Sequence, residues 1–406
     1  MIQRWLVPKI ITSLKEFPIV QIVGARQTGK TTILMHLLPY DFQIYSLDDQ
    51  TLLQAAALDP QDFVNRDERP MCIDEIQKLP ALIPAMKLAV DRSSHKGLYL
   101  ITSSANVFSL PTVQESLAGR IHSLRLRPIT VAEQKGRTPV FLDYIFGDEL
   151  RKDVPATSRD EVLSFAVNGG YPRVLDTSDN TFREDWFSSY ISSILDHDIM
   201  ELFKVQRLDK LERVLHSLAA WSSKIPVNRN IAEKLEVSPA TFENYAAYLH
   251  KLFLVDYVPA FSCSDYKKAT GKEKVFLADS GLMANLLQVE KNAVTLQPDT
   301  LGKLVETFAY TQLVAQCELA ARCRLYHYRD RDDHEVDFII ELNNELVGLE
   351  IKASTSVGPE DFKHLKYFKN RSTQRHFRRG IVLYTGSQVL SYGDGMFAVP
   401  FSALWM

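Results

Sequence analysis

Gly24-Ala25-Arg26-Gln27-Thr28-Gly29-Lys30-Thr31 constrains this chain more than any other stretch. Before it, Phe17-Pro18-Ile19-Val20-Gln21-Ile22-Val23 is an apolar run with proline only near its start, which reads as a buried strand. After it, Thr31-Thr32-Ile33-Leu34-Met35-His36-Leu37-Leu38 opens a helix that Pro39 ends. Strand, glycine loop and helix in that order form the phosphate-loop pattern G-x-x-x-x-G-K-[ST]. Gly24 and Gly29 allow backbone angles that other residues resist, so successive N–H groups can turn toward phosphates. The helix N-terminus adds a partial positive charge. The pattern predicts an ATP site built from Gly24, Ala25, Arg26, Gln27, Thr28, Gly29, Lys30, Thr31 and Thr32. Lys30 would reach the β- and γ-phosphates, and Thr31 would hold Mg²⁺.

The stretches that follow supply the rest of such a site. Gln43-Ile44-Tyr45-Ser46-Leu47 reads as a second strand. Pro70-Met71-Cys72-Ile73-Asp74-Glu75 is an apolar strand tipped by two acids, the Walker B pattern. Asp74 would share the Mg²⁺, and Glu75 would orient or deprotonate the attacking water. Leu98 to Ser104 is another buried strand with a polar tip. Ligands of a doubly wound sheet lie beyond the carboxyl ends of its strands, so Ser103, Ser104 and Asn106 are placed to sense the γ-phosphate. Arg120, in Leu117-Ala118-Gly119-Arg120, could stabilise charge on the transferred phosphoryl group, in cis or from a neighbouring copy.

The segment 18–128 resembles the AAA-type ATPases of bacteria and archaea in which GARQTGKTT, IDEIQ and LAGR occur in this order, followed by a C-terminal domain with a nuclease-like core. Gly169-Gly170-Tyr171-Pro172 and the stretch from Tyr190 to Asp198 match the same group. The chain departs from it at the fourth strand, where Thr102-Ser103-Ser104-Ala105 stands in place of the usual Thr-Gly-Ser-Ser.

Pro128 to about Arg159 reads as a linker, with scattered proline, glycine and charge. Helical spacing then dominates: Phe182, Trp186, Tyr190 and Ile194, then Leu208, Leu211, Val214, Leu215 and Leu218. Asp196, His197 and Asp198 read as a charged helix face rather than metal ligands. Residues 225–258 have the rhythm of a winged helix-turn-helix, with Ser238 as N-cap and Pro239 at the first helical position. Its second helix offers Thr241, Glu243, Asn244, Tyr248 and Lys251, a poor basic surface for reading bases.

A second constellation lies near the carboxyl end. Thr300 to Phe308 begins a helix with Glu306 at the edge of its apolar face. Val336 to Leu342 and Leu346 to Ala353 read as strands joined at Asn343-Asn344, which tolerates positive φ and suits a hairpin turn. If Leu342 pairs with Glu345, Asp337 falls opposite Glu350, and Lys352 shares a face with Glu350. A bulge at Gly348 would slip that register. Opposed carboxylates repel unless a cation separates them. Asp337, Glu350-x-Lys352 and the helical Glu306 resemble the PD-(D/E)xK nuclease core. That resemblance implies Mg²⁺ on Glu306, Asp337 and Glu350, with Lys352 positioning the water that attacks a phosphodiester. Lys363, Lys366, Lys369, Arg371, Arg375, Arg378 and Arg379 follow with no acid among them, a candidate nucleic-acid surface.

The expected fold class is α/β. A P-loop AAA-type domain (1–130) would lead through a linker and helical region (131–224) and a winged helix (225–262) to a restriction-endonuclease-like α/β domain (263–406). The expected activity is ATP binding and hydrolysis, coupled to nucleic acid, DNA first, through the C-terminal domain. The alternative is a nucleotide-dependent switch or scaffold whose nuclease-like domain is inert. Net charge is −3, so no global basic field announces nucleic acid or membrane. Cys72, Cys263, Cys317 and Cys323 form no C-x-x-C; with an N-terminus unlike a signal peptide, they suggest a reducing, cytoplasmic setting. No apolar run is long enough to span a bilayer. A homo-oligomer is expected if Arg120 acts in trans.

Overall fold

In the computed structural model the sequence folds as two compact units. Residues 1–129 with 250–254 form one, and residues 130–249 with 255–406 form the other. The structure describes the chain apart from residues 39–42, 67–69, 107–116, 176, 178, 200–202, 204, 206, 263–270, 290–296 and 373–375; the side chains of 197 and 198 are likewise not described. Cys263 and Arg375 therefore lie outside the described residues.

The first unit is built on a parallel sheet. Its strands are β1 (Ile19–Val23), β2 (Gln43–Ser46), β3 (Met71–Asp74), β4 (Tyr99–Ser103) and β5 (Ile121–Arg125), in the order β2-β3-β4-β1-β5. Strands β1, β3 and β4 are buried at every position, which is why they read as unbroken apolar runs. Edge strands β2 and β5 are mostly half-buried and carry Gln43, His122 and Arg125. The helix Leu6–Glu16 buries Leu6, Val7, Ile10 and Leu14 along one stripe. Because β4 lies between the loop-bearing β1 and the acid-tipped β3, its end stands beside the tip of β3, where Thr102 Oγ1 donates to Asp74 Oδ1.

The second unit contains a mixed sheet. After the antiparallel pair β6 (Val255–Val258) and β7 (Lys274–Leu277) come β8 (Cys323–Arg329), β9 (Glu335–Leu342), β10 (Glu345–Lys352), β11 (His376–Tyr384), β12 (Leu390–Ser391) and β13 (Met396–Pro400). The six later strands take the order β12-β13-β11-β10-β9-β8. The hairpin register is the one read from the sequence: Leu342 pairs with Glu345, and Asn343 and Asn344 take φ of 50° and 70°. Gly348 pairs with Ile339 without a bulge. Its missing Cβ makes room for Leu365 of the helix Lys363–Arg371, which a methyl group would approach to 2.7 Å.

By its contacts the chain groups into two units, the second holding both the middle region and the C-terminal sheet. Two expectations need correction. The stretch after Pro128 is no loose linker. Its helix Val131–Gln134 opens with Val131 donating to Gln312 Oε1 (2.9 Å), and Phe141 N donates to Gln316 Oε1 (3.1 Å); both glutamines lie on the long helix Pro298–Leu319. Two backbone donors thus find partners on a buried helix, so the segment is tied down. Along the helix Asn180–Ser193 and into the turn after it, Tyr190 and Ile194 are buried as expected, but Phe187 and Ile191 share the buried face while Trp186 is half-buried and Phe182 exposed.

Residues 225–254 contain the helices Asn228–Lys234 and Pro239–Lys251, with Ser238 Oγ accepting from Thr241 N at 3.0 Å. The preceding helix Leu208–Ala220 and the pair β6–β7 flank them.

Candidate functional site

The phosphate loop leaves β1 with Gly24 packed against the backbone of Leu126, where a Cβ would overlap the carbonyl oxygen. Gly29 has φ +98° and Gln27 φ +59°. Thr28 closes the loop by donating Oγ1 to Ala25 O (2.9 Å), and Arg4, itself buried, donates to Thr28 O (2.9 Å) and Arg127 O (2.6 Å). Arg26 is half-buried, Gln27 and Thr32 exposed. The helical run 30–37 then begins, its later turn a π-helix over Ile33–Leu37. Lys30, 4% exposed, curls back so that Nζ donates to Gly24 O and Ala25 O, both at 2.9 Å. The ammonium thus lies over the concavity of the loop.

The two acidic residues at the end of β3 differ sharply. Asp74 is 2% exposed; its Oδ2 accepts from Thr31 Oγ1 (2.8 Å) and its Oδ1 from Thr102 Oγ1. Burial pushes its carboxyl above the ordinary range, while the two hydroxyls pull the other way. Glu75 is half-buried and sits in the left-handed region at φ +59°, its N–H held by Thr102 Oγ1 (3.0 Å). A glutamate in that conformation is strained and must be held by its surroundings. Gln77 supplies the hold: its Nε2 donates to Glu75 Oε2 and to Ser104 Oγ (2.8 Å), and its Oε1 accepts from Ser103 Oγ (2.9 Å). Ser104 therefore reaches Glu75 through Gln77. Thr102, Gln77 and Arg4 escaped the sequence reading; only the parallel order β3-β4-β1 puts the end of β4 against Asp74.

These residues fit a magnesium-bound triphosphate. The Thr31 hydroxyl and Asp74 carboxylate already meet, and Asp74 is an acid whose burial a cation would compensate.

Arg120 lies at the other end of the sheet. Its carbonyl accepts from Ile19 N, at the start of β1, and its Nε pairs with Asp91 at 2.6 Å. At about 3.3 Å per residue the length of β1 separates it from Gly24 by roughly 16 Å, which excludes a cis role at the loop.

The acidic constellation of the second unit also comes together, with a member the sequence reading lacked. Lys274 of β7 is wholly buried, and its Nζ lies 2.7 Å from Glu335, 3.0 Å from Glu306 and 3.4 Å from Asp337. The regular β9–β10 ladder ends at Leu349–Phe338. One step on, Asp337 Oδ2 accepts from Ile351 N (2.9 Å). Glu350, 8% exposed, has Oε1 buried with no partner. Lys352 turns away to Asp361 at 3.4 Å.

Burial opposes the charge of Lys274, yet Glu306, Asp337 and Glu335 outweigh it and hold the lysine above its usual range. Burial and then Asp337 push Glu306 up to about 7 and Glu350 well above the carboxylate range. Taken as a pair, Lys274 and Glu306 point opposite ways. Within the whole cluster they agree: a single ammonium faces several acids, so Lys274 is held charged while burial and Asp337 push Glu306 and Glu350 toward their protonated forms.

Among the described residues, three metal-ligating atoms converge only at Asp330, Asp332 and His334, not at Glu306, Asp337 and Glu350. The latter set does not fit a divalent ion while the Lys274 ammonium lies among its carboxylates. The basic stretch is divided as well. Lys363, Lys366, Lys369 and Arg371 lie on the helix Lys363–Arg371, with Lys369 donating to Asp394 O and Arg371 to Tyr367 Oη. Arg378 and Arg379 are drawn inward: Arg378 pairs with Glu345 (3.1 Å) and Asp148 (2.8 Å), and Arg379 donates to Gly147 O (2.6 Å). Arg378 is half-buried and Arg379 buried, so these contacts draw both away from an open basic surface.

Residues 16–135 match the model of the AAA domain family. Residues 159–293 and 301–404 match two domains of unknown function, DUF8612 and DUF4143. Lys274 belongs to the first of these regions and Glu306, Asp337 and Glu350 to the second. Relatives include an uncharacterised protein of Mycobacterium tuberculosis, 25% identical over 96% of this chain and 81% of its own length. Another is an uncharacterised protein of Methanocaldococcus jannaschii, 22% identical over 80% of this chain and 73% of its own. Two solved structures share 12% identity: the Bacillus subtilis DNA clamp loader delta protein (70% of this chain, 98% of that one, TM-score 0.27) and a STAND-type signal transduction ATPase of Pyrococcus horikoshii (77% and 48%, TM-score 0.25). At those TM-scores neither likeness bears on function. No helix among the described residues is long and apolar enough to cross a membrane. Residues 16–135 are thus an AAA-type P-loop ATPase domain, set ahead of two regions whose families have no assigned function.

Proposed function

We propose that the first unit binds and hydrolyses ATP. The observation that carries this reading is the 2.8 Å contact between Thr31 and Asp74, which brings the phosphate loop and the acidic strand end to one point beside Lys30. Thr31 and Asp74 would hold Mg²⁺, which neutralises phosphate charge when bound. Lys30, freed from the Gly24 and Ala25 carbonyls, would contact the β- and γ-phosphates. Glu75 would take a proton from the attacking water, and Gln77 would set its orientation. Arg120 would act only from a neighbouring copy, which makes a homo-oligomer part of the reading.

The nucleotide state would govern binding of nucleic acid, DNA first, by the second unit. Lys363, Lys366 and Lys369 on one helix support binding, and the winged-helix-like stretch could add a second contact. Cleavage would need a divalent ion on Glu306, Asp337 and Glu350 with Lys352 beside it. The Lys274 ammonium favours instead a nuclease-like domain that binds without cutting.

Calorimetry and phosphate release test the reading. Lys30→Ala should lose ATP binding, whereas Glu75→Gln should bind ATP and lose turnover. Unchanged turnover in Lys30→Ala would refute the ATPase reading, and turnover indifferent to single- and double-stranded DNA would refute the coupling.

A further inference from the structure

We propose that the Lys274 ammonium is the resident cation of the Glu306, Glu335, Asp337 and Glu350 cluster, standing where a nuclease-like core would hold its divalent ion. The inference deepens the binding-without-cutting reading and does not depend on ATP turnover.

Four observations carry it. Lys274 comes from β7, whereas Glu306 comes from the helix Pro298–Leu319 and Glu335 and Asp337 from β9, so three elements converge on one ammonium. The lysine is wholly buried, which demands that its charge be met by carboxylates and leaves no solvent to take their place. The lysine that the hairpin motif would supply, Lys352, is engaged elsewhere with Asp361. Glu350 is left with a buried, unpartnered Oε1 within the electrostatic reach of Asp337 and Lys274. A small divalent ion and an ammonium satisfy the same carboxylates, and both cannot occupy one place. The lysine is covalently tethered and the ion is not, so at ordinary concentrations the lysine holds the position. The cluster then fixes β7 against the sheet instead of activating water.

The test is a titration of Mn²⁺ into the full chain without nucleotide, following the electron paramagnetic resonance signal of the free ion. Wild type and Asp337→Asn should give the same isotherm, because any binding at the phosphate loop is common to both. Lys274→Met, which keeps the volume and removes the charge, should gain one equivalent of Mn²⁺ that Lys274→Met/Asp337→Asn loses again. Its melting temperature should rise with Mn²⁺ by more than that of wild type. An equivalent present in wild type and lost in Asp337→Asn would overturn the proposal. So would a folded Lys274→Met chain that gains none. If Lys274→Met fails to fold, the comparison of wild type with Asp337→Asn decides alone. A chain that neither turned over ATP nor bound DNA would give the same isotherms, so a failure of the proposed function would not imitate a failure here.

Discussion

Thr102→Val isolates one atom of the candidate ATP site. The hydroxyl of Thr102 donates to Asp74 Oδ1 and accepts from Glu75 N at 3.0 Å, and threonine and valine have the same shape. The substitution removes a donor from a carboxylate that is 2% exposed, a bond to a charged group worth about 1.5–3 kcal/mol. It also strands the Glu75 N–H, at about 1 kcal/mol or more for a partly buried donor. The sum is about 3 kcal/mol, and for a unit near 130 residues each kcal/mol moves the midpoint by about 3–5 °C. The first thermal transition should therefore fall by about 10 °C. Turnover should fall further than ATP affinity, because Glu75 loses the bond that fixes its left-handed backbone. Thr102→Ser keeps the hydroxyl and should restore most of both. Differential scanning fluorimetry with steady-state phosphate release measures the two effects. A Thr102→Val protein within about 0.5 kcal/mol of wild type in stability, with unchanged turnover, would refute this account of how Asp74 and Glu75 are held.

Gly169→Ala should destabilise the second unit by about 3 kcal/mol or more, since φ +71° with ψ −158° is a region open essentially to glycine and a Cβ would overlap Asp279 Oδ1; urea denaturation of that unit checks it, and a loss under about 1 kcal/mol would contradict it. Asp279 caps the helix Ser280–Leu286 and accepts from Gly170 N (2.7 Å) and Leu282 N (2.9 Å), yet burial outweighs these donors and pushes its carboxyl up from 3.8 to about 6. Between those values the folded chain holds more protons than the unfolded one, so this contribution is fully present below pH 4 and is lost as pH rises to about 6, by up to about 3 kcal/mol. Asp279→Asn does not titrate, so wild type should lose stability relative to it across pH 4–6.5; parallel profiles would remove the assignment.

The phosphate loop and the acidic strand end were legible because each is a local pattern with its own physical cause. Glycines placed at fixed spacing permit one loop conformation, and short apolar runs without polar alternation suit strands covered on both faces. The hairpin was legible for a similar reason: Asn343-Asn344 admits positive φ, and period-two alternation then fixes every opposed pair. The partners of these residues were not legible. Thr102 looks like any polar strand end until the sheet order sets β4 beside β3. Arg120 looks like a finger for its own loop until the parallel register puts it just ahead of β5, a strand's length from that loop. Arg378 and Arg379 read as surface charge because nothing local announces Asp148, Gly147 and Glu345 as their neighbours.

By itself, then, the sequence determined that this chain cradles phosphates near its amino end and carries an acid-lined hairpin near its carboxyl end. Only the tertiary structure decided what stands among those acids. Lys274 lies far from Glu306 and Asp337 in the chain, and burial of its stem on β7 is what turns its ammonium inward. Charge compensation in a low-dielectric interior is a property of three-dimensional neighbours, and no one-dimensional spacing encodes it.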